Sequence, residues 1–296
     1  MQNKSFYLLL VMIFNLHGCD NSEVLANEQQ TQELTKRSLD NMVTVKGGEF
    51  LMGDFGPLVG QKLPYSINSD DKKLHKVILD DFLISKYKVT NKDYKIYSNV
   101  MKREALPKGG LQREFSQLLA DDVPVSVPWE LAREYCLWLG KETGKKIDLP
   151  TEAQWEYAAR SRGQYLPFAT NDGNFSEGEN VPTHDDIIKM TGFGLPIYPI
   201  GKYPPNPLGL YDMGLSGSEW VYDWYDKDYY HYSEEKNPSG PSAGIKKVSR
   251  GNVGGDIQYA LTMFRQANLP VPVLKGRVYE RDGISPAYVF RCAVNN

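Results

Sequence analysis

Leu149-Pro150-Thr151-Glu152-Ala153-Gln154-Trp155-Glu156-Tyr157-Ala158-Ala159-Arg160 is the stretch on which the reading of this chain turns. Thr151 follows a proline and stands three residues before Gln154. That is the spacing of a capping box, in which a hydroxyl and a side-chain carbonyl satisfy two N–H groups at a helix start. Upstream, Pro128 to Leu139 is amphipathic, with Leu131, Tyr135, Trp138 and Leu139 on one face at helical spacing. Thr90 suits the N-cap of a helix carrying Tyr94 and Tyr97. Met42–Val45 and Phe50–Gly53 read as two short strands around a Gly47-Gly48 turn. Val77, Leu79, Phe82 and Ile84 read as one further strand, shifted in phase at Asp80-Asp81. Beyond Arg160, long irregular stretches alternate with short apolar runs, with no internal repeat and no heptad. The pattern is that of a loop-rich α+β domain.

The first residues have a different character. Lys4 precedes an apolar run from Phe6 to Leu16, which is too short for a comfortable membrane span of about 20 residues. Leu16-His17-Gly18-Cys19 puts a cysteine after a small residue, the arrangement of a bacterial lipoprotein leader. Residues 1–18 read as the signal peptide and Cys19 as the lipidated terminus, with an ordinary secretory signal or an uncleaved anchor as the alternatives. Asp20 to Asp40 is polar with little apolar periodicity, so residues 19–40 read as the lipidated cysteine and a flexible tether. The folded domain is then residues 41–296. This places the protein at the bacterial cell envelope, lipid-anchored and facing the periplasm. A formal net charge of -3 and a pI of about 5.9 give no electrostatic case for nucleic acid. With Cys19 assigned to the leader, Cys136 and Cys292 remain as an even pair in an oxidising compartment, either bonded or as two buried thiols. There is no phosphate loop, nucleophile elbow or Cys–His signature.

Taken together, several segments resemble the formylglycine-generating enzyme (sulfatase-modifying factor) family. They are Gly47 to Gly53, His75 to Asn91, Pro124-Val125, Trp129, Ala132, Tyr135 to Trp138 and Leu149 to Arg160. Gly209 to Met213, Glu219-Trp220-Val221, Asp223-Trp224-Tyr225 and Phe290 to Ala293 complete the series, in the family's order. The resemblance implies a single α+β domain of the C-type-lectin-like kind and a structural disulfide between Cys136 and Cys292. Enzymes of this family oxidise a substrate cysteine with O2 and a copper ion held by two cysteines spaced Cys-x-x-x-x-Cys. Soft thiolates suit that ion. Here Asp256 and Leu261 stand at those positions, and no cysteine lies between Cys136 and Cys292. Copper chemistry is therefore not expected.

A structural Ca2+ is expected from the same resemblance, since hard oxygen ligands in a tight loop suit it. Asp212 and Glu219 match the side-chain ligands, and Leu215 and Gly217 the backbone ones. The alternative is that the two acids only accept loop hydrogen bonds. A second calcium position falls on Asn180, Val181 and Phe193, with Thr191 where its Asp belongs. Iron enzymes sharing the domain use a histidine cluster, but His75, His184 and His231 lack close ligand spacing, and His75 matches a framework position. Tyr229-Tyr230-His231-Tyr232 offers either a rigid protein-contact surface or partial burial. The resulting expectation is a non-catalytic periplasmic lipoprotein that binds one protein. Its resemblance to lipoprotein immunity proteins suggests a type VI secretion lipase toxin as that partner. The alternative is a metal- and O2-dependent oxidase using non-cysteine ligands around Asp256.

Overall fold

Asp80-Asp81 divides one apparent strand into two that belong to different sheets. In the computed structural model, which describes residues 18–103, 114–251, 256–271 and 287–295, β1 (Met42–Val45) pairs antiparallel with β4 (Phe82–Ser85), Val43 lying opposite Ile84. β2 (Gly48–Met52) pairs instead with β3 (His75–Leu79), Phe50 opposite Val77. The Gly47-Gly48 turn is therefore a crossing between sheets and not a hairpin. Gly47 is required there, because a Cβ on it would sit 2.2 Å from the Leu79 carbonyl oxygen. The crossing is fixed by the Gly47 N–H, which donates to the Asp81 carboxylate at 2.9 Å.

The first sheet continues from β4 through β10 (Ala293–Asn295) to β5 (Ile147–Asp148), all antiparallel. A second four-stranded sheet runs in the order β8 (Arg265–Asn268), β7 (Lys247–Arg250), β6 (Ser218–Trp224), β9 (Tyr288–Val289), with β6 and β9 parallel. Five α-helices stand among the described residues. They are α1 (Gly18–Asp40), α2 (Asn91–Val100), α3 (Trp129–Thr143), α4 (Glu152–Ala159) and α5 (His184–Thr191). The caps expected at Thr90 and Thr151 both form complete capping boxes, with Asp93 and Gln154 as reciprocal partners. Thr183 and Asp186 make a third at α5.

The segment expected to be a flexible tether is helical, and this corrects the sequence reading. Its helix α1 is polar almost throughout, yet Leu34 is fully buried and Leu39 packs beside it against Tyr94, Tyr97 and Tyr135 of the core. Arg37 donates to Asp93 of α2 at 2.5 Å. Two leucines five residues apart are too sparse a stripe for periodicity to register. Residues 1–17, most of the expected signal peptide, lie outside the described residues. Among those described, no helix is long and apolar enough to cross a membrane.

The core has two main lobes. One centres on Phe50, Trp155, Tyr157 and Val221; the other on Tyr135, Trp138, Trp220 and Phe290. The second lobe contains the Cys136–Cys292 disulfide, which ties α3 to the approach of β10 with a Cα–Cα distance of 5.6 Å. The bond implied by the family resemblance is thus present.

Candidate functional site

Helix α4 is buried on every side, so its charged residues have to find partners inside the protein. Glu152 and Glu156 lie one turn apart and Arg160 follows a turn later. Glu152 accepts from Arg250 Nη1 at 2.7 Å, from Arg265 Nε at 3.0 Å and Nη2 at 2.9 Å, and from the Tyr230 hydroxyl at 3.1 Å. Glu156 accepts from Arg250 Nη2 and Arg160 Nη1, each at 2.8 Å, and from the Gly53 N–H at 3.0 Å. Burial acts to raise Glu152, but the guanidinium groups of Arg265 and Arg250 outweigh it and hold the carboxyl below its ordinary range. Asp223 caps the same helix by accepting the Glu152 N–H at 2.8 Å. Burial, reinforced by the charge of Glu152, pushes Asp223 up to about 8. The network ties α4 to β2, β7 and β8, and every member is inaccessible to a substrate.

A second buried cluster lies where the loop before β6 folds back. Lys88 is fully enclosed, and its Nζ donates to the carbonyl oxygens of Leu215, Ser216 (2.9 Å) and Gly217 (3.3 Å). Glu219 Oε1 lies 3.7 Å from the same nitrogen. Glu219 also holds Arg291 in a fork, Nε to Oε2 at 2.6 Å and Nη2 to Oε1 at 3.0 Å. Asp212 accepts the Gly201 N–H at 2.8 Å, and burial raises its carboxyl against the pull of Lys88 and Arg291. Burial drives the Lys88 ammonium down to about 8 against the opposing charge of Glu219. Sequence reasoning missed Lys88. Nothing local marks it, since its acceptors are more than 120 residues away.

The family model of the sulfatase-modifying factor enzyme 1-like domain matches residues 27–292. The chain belongs to this family. A serine/threonine-protein kinase, pkn1 of Chlamydia pneumoniae, is 31% identical over 277 residues, which is 87% of this chain and 38% of the kinase. The chain thus spans about two fifths of that relative's length. The formylglycine-generating enzyme of Bos taurus is 34% identical over 141 residues, 44% of this chain and 34% of the enzyme. Among solved structures, PvdO from Pseudomonas aeruginosa superposes with a TM-score of 0.66 at 25% identity, covering 86% of this chain and 94% of that one.

The two residues that the resemblance sets at the copper-thiolate positions are Asp256 and Leu261. Asp256 caps a short 3-10 turn (Ile257–Ala260) by accepting the Gln258 N–H at 2.9 Å. Leu261 is buried with Phe55, Met263 and Phe264. The residues between Gly251 and Asp256 lie outside the described residues.

Of the first calcium set, the Leu215 and Gly217 carbonyls and the Glu219 carboxylate converge, but on Lys88 Nζ, while Asp212 accepts the Gly201 N–H. The residues present therefore do not fit a calcium ion. The second set fits no better. It contains no carboxylate, its Asn180 Oδ1 accepts the Ser176 N–H at 2.9 Å, and the Val181 backbone carbonyl accepts the Gly178 N–H at 2.8 Å. The Thr191 hydroxyl donates to the Phe193 carbonyl. Among the described residues, no group of three His, Cys, Asp or Glu side chains could hold a metal ion. His75 lies in the framework, its ring 4.4 Å from that of Tyr230. The aromatic run does not form a continuous contact surface. Tyr229 and Tyr230 are buried, Tyr230 against Glu152 and Arg265, and only His231 and Tyr232 face outward. Two of the three tyrosines are core residues because the 3-10 turn at Tyr229–His231 directs them inward.

Proposed function

We propose that this chain is a catalytically silent member of its family that binds a protein. In this reading it is held at the bacterial envelope by a lipid on Cys19 and faces the periplasm. The observation that carries the reading is the fate of the two thiolate positions. One is an aspartate engaged in capping a turn, and the other is a leucine that completes an apolar cluster with Phe55, Met263 and Phe264. Restoring a soft two-sulfur site would require replacing a core residue and not merely a surface one. The chain nevertheless has a buried charge network around α4 and a disulfide that hold its framework together. A rigid frame presenting long loops suits recognition, because little entropy is lost on binding.

The partner class this supports is a periplasm-acting protein. The lipoprotein leader and the resemblance to immunity proteins favour a secreted lipase toxin that the chain neutralises. The test is capture of partners from native envelope extract by the full chain, with metal content measured on the same preparation. One stoichiometric protein partner that loses lipase activity on binding supports the reading. Stoichiometric copper or iron without a partner would favour the oxidase alternative and refute it.

A further inference from the structure

Lys88 occupies the position toward which four ligand-type groups of a cation loop are turned. The loop from Asp212 to Gly217 has positive φ at Asp212 (58°), Gly214 (80°), Ser216 (49°) and Gly217 (97°). These left-handed residues coil the backbone so that three successive carbonyls, of Leu215, Ser216 and Gly217, all accept from one nitrogen. Non-glycine residues enter that region at a cost, and Asp212 and Ser216 are held there by specific bonds. Asp212 accepts from Gly201 N, and the Ser216 hydroxyl donates to the Tyr198 carbonyl at 2.9 Å while accepting the Tyr198 N–H at 3.1 Å. Glu219 closes the fourth side. Three inward carbonyls with a carboxylate beside them are the donor set of a hard cation.

We infer that the ammonium of Lys88 is the resident cation of this loop, a covalently attached substitute for a divalent ion, and that its removal opens a calcium site. Charge supports the assignment. Two carboxylates, Asp212 and Glu219, face two cations, Lys88 and Arg291, so the buried cluster is balanced without any ion. Adding Ca2+ beside an enclosed ammonium would leave two surplus positive charges in a buried site, where charges are poorly screened. Space supports it as well, because the Lys88 side chain is fully enclosed and its nitrogen already occupies the focus of the carbonyls. The distances to Ser216 and Gly217, 2.9 and 3.3 Å, suit N–H···O bonds. The lysine arrives from the chain just before α2, so the substitution also fastens that segment to the loop before β6 without dependence on ion supply.

The experiment compares the full-length protein with Lys88→Ala, each unfolded thermally in EDTA and in millimolar CaCl2, with calcium stoichiometry read by titration calorimetry. The wild-type protein is expected to contain no calcium and to melt at the same temperature, within 1 °C or so, in both conditions. Lys88→Ala is expected to melt well below it in EDTA, to recover at least half of the loss in calcium, and to bind one ion. In the Lys88→Ala/Glu219→Gln double variant the recovery should vanish, whereas a purely structural defect would not distinguish the two variants by calcium. One equivalent of calcium in the wild-type protein, or a wild-type Tm that falls in EDTA, overturns the inference. So does a Lys88→Ala protein that is indifferent to calcium, or that fails to fold with calcium supplied.

Discussion

Glu152→Gln isolates the contribution of charge to the network around α4, because glutamine keeps the volume and removes the carboxylate. Glu152 accepts four hydrogen bonds, three from the guanidinium groups of Arg250 and Arg265 and one from Tyr230. The substitution leaves two enclosed arginines facing an amide whose NH2 cannot accept. Breaking a buried ion pair by removing one partner costs about 3–5 kcal/mol, mostly as the stranded charge. Arg250 retains Glu156, and Arg265 retains the carbonyls of Asp70 and Asp226 at 3.4 and 3.3 Å, so the lower end of that range applies. For a domain of this size, about 3 kcal/mol lowers Tm by roughly 6–12 °C. Thermal and urea unfolding of the purified protein measure it, with Lys36→Gln as the control. Lys36 pairs with Asp40 at an exposed site, its side chain 80% accessible, where removal should have almost no effect. A Glu152→Gln Tm within 2 °C or so of wild type would refute the picture of an enclosed and interdependent network.

Other perturbations follow from the same structure. Replacing Cys136 and Cys292 by serine removes a link across a sequence separation of 156 residues and should destabilise the domain by about 2–5 kcal/mol, visible as a lower urea midpoint than that of the oxidised wild type. Thr151→Ala removes the hydroxyl that accepts the Gln154 N–H at 3.2 Å, with an expected loss of about 1 kcal/mol that Thr151→Ser largely restores in the same assay. Burial pushes Asp71 up to about 7, so between its ordinary value near 4 and pH 7 the unfolded chain binds fewer protons than the folded one. Asp71 should therefore make stability fall as pH rises through that window and level off above it. Asp71→Asn should flatten the profile there, as measured by urea midpoints from pH 4 to 8.

Most of the framework was legible because its signals are local. The capping boxes at Thr90 and Thr151 need only residues three apart, and the amphipathic face of α3 is set by its own spacing. What escaped depends on distant parts of the chain. Gly47-Gly48 reads as a turn between two short strands, but those strands pair with β4 and β3 and not with each other, since Gly47 must pass against the Leu79 carbonyl. Helix α1 has too few apolar positions to show a period, and its docking rests on Leu34, Leu39 and an ion pair to Asp93. At the candidate cation loop, the ligand-type residues were named through the family resemblance. The residue that fills the loop was not, because Lys88 is an unremarkable lysine until the fold brings it under Leu215 and Glu219. The aromatic run at Tyr229–Tyr232 shows the reverse problem, since a cluster of tyrosines does not reveal which of them a 3-10 turn will bury.

The claim that this domain has kept the framework of its family while losing the copper chemistry is tested most directly by Cu(I) titration of the oxidised full-length protein against a chromogenic chelator, followed by incubation of the loaded sample with a cysteine-containing peptide under O2. With Asp256 and Leu261 in place of the thiolates, the account predicts that the chelator retains the metal and that no peptide aldehyde forms. One equivalent of Cu(I) withdrawn from the chelator, together with aldehyde on the peptide, would contradict it.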